Sequence, residues 1–67
     1  MNNRIRDLRS QFNMTQEQLA EAVGVSRQSI IAIENDRYNP SLELAYNISK
    51  AFQRSIEEVF IFEKEAE

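Results

Sequence analysis

The sequence predicts an all-α fold, a single domain of short amphipathic helices built around a helix–turn–helix. Three observations carry this. Apolar residues recur at three- and four-residue spacing in several segments, as on one face of a helix. Ser or Thr stands ahead of most of those segments, where a side-chain oxygen caps a helix start. One stretch, Thr15 to Glu34, reads as two helices joined by a tight turn.

The segment Arg4 to Phe12 carries Ile5, Leu8 and Phe12 as one buried stripe, with Arg4, Arg6 and Arg9 off it. These arginines are expected to form a solvated face, with phosphate contact as the minority reading. Met14 in the following connection is expected under the next helix. Thr15 with Gln18 makes a T-x-x-Q capping box. Leu19, Ala20 and Val23 give the apolar side of a two-turn helix, and Gly24 suits its left-handed stop. Ser26 caps a second helix, on which Ile30 and Ile33 face inward. This helix–Gly turn–helix is the form in which a second helix is presented to the DNA major groove.

Asn35 to Pro40 has the composition of a loop, and Pro40 sets up Ser41 as a cap. Leu42 to Phe52 is expected to be the most buried helix, through Leu44, Ala45, Ile48, Ala51 and Phe52. Ser55 and Glu58 form a second capping box over a short turn with Ile56, Val59 and Phe60 inward. Val59-Phe60-Ile61-Phe62 is then too short for its own helix. If it is extended, Ile61 and Phe62 point to opposite sides. That predicts a short C-terminal strand or extension at a two-fold dimer interface formed by Val59, Phe60, Ile61 and Phe62, within a dimerisation segment 56–63, with simple capping of the monomer core as the minority reading. An acidic tail follows at 63–67.

A chain of 67 residues makes one domain, 1–67. Such a domain buries only about 60% of its unfolded surface and is marginal alone. The chain has no Cys and no His, so neither disulfides nor a Cys/His metal site can staple it, and no cofactor is indicated. No apolar run approaches the roughly 18 residues of a membrane span. A cytoplasmic protein, nucleoid-associated when bound to DNA, is the expectation. The net charge of −3 has the wrong sign for a DNA binder, but its distribution matters more. Residues 1–55 carry seven Arg/Lys against six acids, and residues 56–67 one Lys against five, for net charges of +1 and −4. Phosphate contact needs positive charge on one face, which a sum does not show. With no Cys, no His and no Gly-rich phosphate loop, the chain is not expected to be an enzyme.

Geometry divides the second motif helix. With Arg27 at 0° and about 100° per residue, Ile30 and Ile33 lie near 300° and 240°, the core arc. Arg27, Gln28, Ile31, Ala32 and Asn35 span about 0° to 140°, the outward arc, and Ser29 lies at its edge. Arg27 can bond guanine O6 and N7 in bidentate fashion, and Gln28 adenine N6 and N7. Ile31 and Ala32 offer methyl contacts to thymine, with packing of Ile31 at the edge of the core as the alternative reading. These four are the candidate base-reading residues. Gln16, at a helix start, can bond a phosphate beside backbone N–H groups. Ser29, Asn35, Arg37 and Asn39 are the further candidate DNA-backbone contacts, although Arg37 could instead pair with Asp36 or Glu34.

T-Q-x-x-L-A, G-V-S-R-Q-x-I and I-E-N-x-R-Y-N-P-S, as they stand between Thr15 and Ser41, closely resemble the Cro/CI phage-repressor type of helix-turn-helix, the Xre family. The resemblance runs from about Ile5 to Phe60. It implies a compact five-helix bundle of the phage-repressor type that binds an operator as a homodimer. It implies that Gln16 contacts phosphate and helps orient the reading helix. It places Arg27, Gln28, Ile31 and Ala32 where family members meet bases, and Ser29, Asn35 and Arg37 where they touch the backbone. The chain also resembles the small stand-alone members, in which terminal strands can form a small sheet and dimers form through the C-terminal region. Ile31 and Ala32 depart from the polar residues many members carry there, so no operator sequence carries over.

The expected partners are therefore double-stranded DNA and a second copy of the chain, with no membrane and no small-molecule ligand. A transcriptional regulator, and within that class a repressor, is the leading expectation. An antitoxin or a restriction–modification controller uses the same domain. A protein-interaction module that no longer reads DNA is the alternative from another class.

Overall fold

A computed structural model describes residues 2–62. The acidic tail, and the last residue of the expected dimerisation segment, lie outside the described residues. Five helices and one small sheet follow in the order β1 (Asn2–Asn3), α1 (Ile5–Gln11), α2 (Gln16–Val23), α3 (Arg27–Glu34), α4 (Leu42–Ala51), α5 (Ile56–Val59) and β2 (Phe60–Ile61). The all-α bundle with a short terminal strand is the architecture expected.

Local chemistry fixes the helix boundaries. Thr15 Oγ1 accepts from Gln18 N, and the Gln18 side chain accepts from Thr15 N, closing the capping box. Ser55 and Glu58 repeat it at the start of α5. Ser26 and Ser41 cap α3 and α4 through their hydroxyls. Arg4 supplies no such cap to α1, and Asn3 does so from one residue further back, its Oδ1 accepting from Ile5 N at 3.1 Å. The C-terminal ends share one device. Gly24 stops α2 at φ 79°, and Asn13, Asp36 and Gln53 reach φ 54°, 61° and 57° after α1, α3 and α4. At each end the next N–H closes back on the last turn, as in Met14 N to Arg9 O and Arg54 N to Ser49 O.

The core gathers Ile5 and Leu8 from α1, Leu19 and Ala20 from α2, Ile30 and Ile33 from α3, Ala45 and Ile48 from α4, and Phe52, Val59 and Phe60 from the C-terminal part. Phe52 and Phe60 are its largest fully buried side chains. Phe12 departs from the expected stripe: it is 39% exposed and lies edge-on against Phe52, ring centroids 5.6 Å apart. Leu42, the first residue of α4, is 78% exposed, and only the inner stripe of that helix is buried.

The C-terminal strand corrects the expected interface. β2 pairs antiparallel with β1 of its own chain, Asn2 opposite Ile61 and Asn3 opposite Phe60. Arg4 N donates to Val59 O at 2.8 Å and extends the join. Val59 and Phe60, read both as inward residues of the short turn and as part of a dimer surface, are buried in this chain's own core, as the inward reading requires. The reason is the alternation of an extended segment: Phe60 turns inward, Ile61 is half-buried and Phe62 is 60% exposed. Only Ile61 and Phe62 of the four remain accessible. Asn3 completes the seam, its Nδ2 donating to Ile33 O at 2.9 Å.

A buried ion pair ties α1 to α3. The Glu34 side chain is 1% exposed, and Arg9 donates to both its oxygens, Nε to Oε2 at 2.5 Å and Nη2 to Oε1 at 3.3 Å. Arg9 Nη1 also donates to Met14 O, and Gln16 Nε2 donates to Glu34 Oε1 at 3.1 Å. Arg9 is therefore not part of a solvated face, and Glu34 is not a partner for Arg37.

Arg9→Met is expected to cost roughly 3–5 kcal/mol in urea denaturation, because it removes the short-range cationic partner of a buried carboxylate. The double change Arg9→Met with Glu34→Leu should recover most of that loss, since a buried pair replaced by apolar groups is often neutral. At the end of α4, Gln53→Gly should stabilise the fold by about 0.5–1 kcal/mol. A left-handed residue with a β-carbon costs about 1–2 kcal/mol, and the entropy glycine loses returns part of the gain. An unchanged thermal midpoint for Gln53→Gly would contradict that.

Candidate nucleic-acid interface

Two helix starts meet on one side of the molecule. The start of α2 brings Gln16, and the start of α3 brings Arg27, to a single open groove that is also lined by Arg9, Asn13 and Thr15. The turn that sets this angle is short. Gly24 takes the left-handed conformation, Val25 N returns to Ala20 O at 3.0 Å, and Ser26 begins the next helix. Val25 packs against the core and anchors the turn. α3 then lies across α2 with Ile30 and Ile33 inward.

The arcs expected for α3 are those observed. Ile30 and Ile33 are 0% and 1% exposed. Arg27, Gln28 and Asn35 are exposed, and Ile31 and Ala32 are half-buried at the rim of the outward face. Ile31 thus keeps part of its surface for a partner, and part lies against the fold. Arg27 and Gln28 are free to extend from the end of α3 that enters a groove first in this motif.

The candidate backbone contacts are placed unequally. Gln16 is half-buried and held by Glu34, so its side chain leaves the α2 start already oriented by the C-terminal end of α3. Ser29 is half-buried and its Oγ lies 3.2 Å from Ser26 Oγ. That hydroxyl lies against the Ser26 cap of α3. Asn35 is the C-cap of α3, with its Oδ1 accepting from Arg6 Nη2 at 3.2 Å. Arg37 and Asn39 are exposed in the loop after α3, which the left-handed Asp36 turns away from the helix axis.

Sequence reasoning named Gln16 but missed Glu34, on which Gln16 converges, and the Arg9 side chain that joins it there. A signal was present. A carboxylate in the last turn of a helix opposes the helix dipole, and on a DNA-facing helix it opposes phosphate as well. A residue of the wrong sign in such a place calls for a cationic partner from elsewhere in the chain.

Among the described residues, no group of three or more His, Cys, Asp or Glu side chains is placed to hold a metal ion. Among the described residues, no helix is long and apolar enough to cross a membrane.

Comparison with known proteins agrees with this geometry. The family model described as Helix-turn-helix, HTH_3, matches residues 5–59. An HTH-type transcriptional regulator of Archaeoglobus fulgidus is 52% identical over 65 residues, covering 97% of this chain and 92% of that protein. The immunity repressor protein of Bacillus phage phi105 is 39% identical over 69 residues, with 96% of this chain aligned to 48% of the repressor. The crystal structure of the restriction-modification controller protein C.AhdI from Aeromonas hydrophila superposes with a TM-score of 0.79 at 30% identity, covering 85% of this chain and 86% of the controller. The chain belongs to the Cro/CI-type (Xre) helix-turn-helix family of DNA-binding transcription regulators.

Proposed function

We propose that the protein is a sequence-specific regulator that binds an operator in double-stranded DNA as a homodimer, with α3 in the major groove. The observation that carries this is the shared groove of Gln16 and Arg27 beside the exposed Gln28. On this reading Gln16 supplies a phosphate contact, and Arg27 and Gln28 supply base contacts. Arg27 takes a guanine, Gln28 an adenine, and the exposed parts of Ile31 and Ala32 meet thymine methyls. Gln16, Asn35, Arg37 and Asn39 bind the sugar-phosphate backbone and set the register, with Ser29 as a lesser contact.

A single short helix reads few bases, which favours two copies on two half-sites one helical turn apart. The accessible Ile61 and Phe62 at the end of β2 are the proposed contact between copies. Repression by occluding a promoter fits the small domain, and the phage immunity repressor among its relatives supports that direction. A restriction–modification controller is the second reading, favoured by the likeness to C.AhdI. A methyltransferase gene beside this one distinguishes it.

Three outcomes test the proposal. Arg27→Ala should cost on the order of 1–3 kcal/mol at one guanine-bearing position and relax preference there, measured against a panel of single-base variants of a selected site. Gln16→Ala and Arg37→Ala should instead weaken all sequences evenly. Equal weakening by Arg27→Ala at every site would remove its base-reading role. Sedimentation equilibrium at micromolar concentration should give a dimer that Phe62→Asp converts to a monomer. A wild-type monomer there would end the proposal of a preformed dimer.

A further inference from the structure

The three arginines at the start of the chain go to three different places. Arg9 is spent on Glu34 in the interior. Arg4 lines a groove with Arg54 and with three carboxylates, Asp7, Glu57 and Glu58. Arg6 goes to the reading helix. Its Nη2 donates to Asn35 Oδ1 at 3.2 Å, and its Nε stands 3.7 Å from Glu34 Oε1. Its side chain is nevertheless 68% exposed.

We propose that Arg6 is a phosphate-binding residue of the DNA interface, delivered from α1 to the C-terminal end of α3 and positioned there by Asn35. The inference rests on the DNA-binding reading above and adds to it a contact from outside the helix-turn-helix. Two features support it. The Glu34 carboxylate is already matched by Arg9 at shorter range, so the Arg6 charge is surplus on this face. An exposed surplus cation at the C-terminal end of α3 is what a polyanion would meet there. The Asn35 bond is also of the right sense. Arg6 occupies the amide oxygen, the atom a phosphate repels, and leaves the Asn35 NH2 group as a donor. Arg6 thus turns Asn35 toward phosphate while presenting its own remaining N–H groups.

The test uses the full chain with two duplexes, one selected from random DNA for tight binding and one unrelated, followed by fluorescence anisotropy between about 50 and 200 mM salt. Arg6→Gln keeps an amide donor near Asn35 but removes the charge. It should lower the slope of log affinity against log salt by about 0.9 per bound copy, on both duplexes alike, and weaken binding on the order of tenfold at the lowest salt. Arg6→Lys keeps the charge without the planar fork and should retain the wild-type slope. Arg4→Gln, on the acidic groove, should leave the slope unchanged. A wild-type slope and affinity for Arg6→Gln would overturn the inference. So would a slope lost equally in Arg6→Lys, which would assign Arg6 a structural role. Absence of salt-dependent binding by the wild type would instead overturn the DNA reading on which the inference stands.

Discussion

The carboxylate of Glu34 is removed from water, and the placement of α3 depends on how that charge is met. Arg9 comes from α1 with a two-pronged grip, and Gln16 comes from the start of α2 with one hydrogen bond. Three helices are therefore held at one point, beside the groove shared by Gln16 and Arg27. A buried pair of this kind is weak evidence of net stability, because desolvation offsets most of the attraction. What it supplies is geometry. An unmatched carboxylate is so costly that α3 is held where Arg9 can reach its end.

The second constraint is closure at the two termini. A chain this small cannot leave Val59 and Phe60 in water and still hold a core, since Phe60 and Phe52 are its largest fully buried side chains. The C-terminal segment is drawn inward and its backbone pairs with Asn2 and Asn3. Asn3 then does three jobs. It is a strand residue, it caps α1 from outside, and it donates to Ile33 O in α3. The terminal sheet and the motif helix are thus coupled through one amide side chain. An apolar strand that looked available for a partner is mostly consumed by the monomer, and Ile61 and Phe62 are what it leaves.

Much of this was legible in the sequence, because the decisive signals were local. Thr15 with Gln18 and Ser55 with Glu58 are capping boxes within four residues, and Gly24 marks its turn unaided. The arcs of α3 follow from a fixed angle per residue, and Ile30 and Ile33 are buried as that angle requires. The resemblance to the Xre family supplied the five-helix count and the terminal sheet. Interactions across the chain were not legible. Arg6 and Arg9 share a face of α1 and differ only in what lies opposite, residues 34 and 35, which no local pattern reports. The helix stops at Asn13, Asp36 and Gln53 were equally hidden, since no glycine marks them. Phe12 was overcounted for a further reason. Apolar spacing indicates a face, but at the end of a short helix that face can run past the core's edge.

The central claim is that the starts of α2 and α3, with the C-terminal end of α3, form one DNA-binding surface. Mapping backbone amide shifts by nuclear magnetic resonance as a selected duplex is added tests this most directly. The account predicts that the largest changes fall on Gln16, on Arg27 to Ala32, and on Asn35 to Asn39, with Ile48 and Phe52 little moved. Changes confined to the outer face of α4 around Leu42 and Tyr46, with α3 silent, would contradict it.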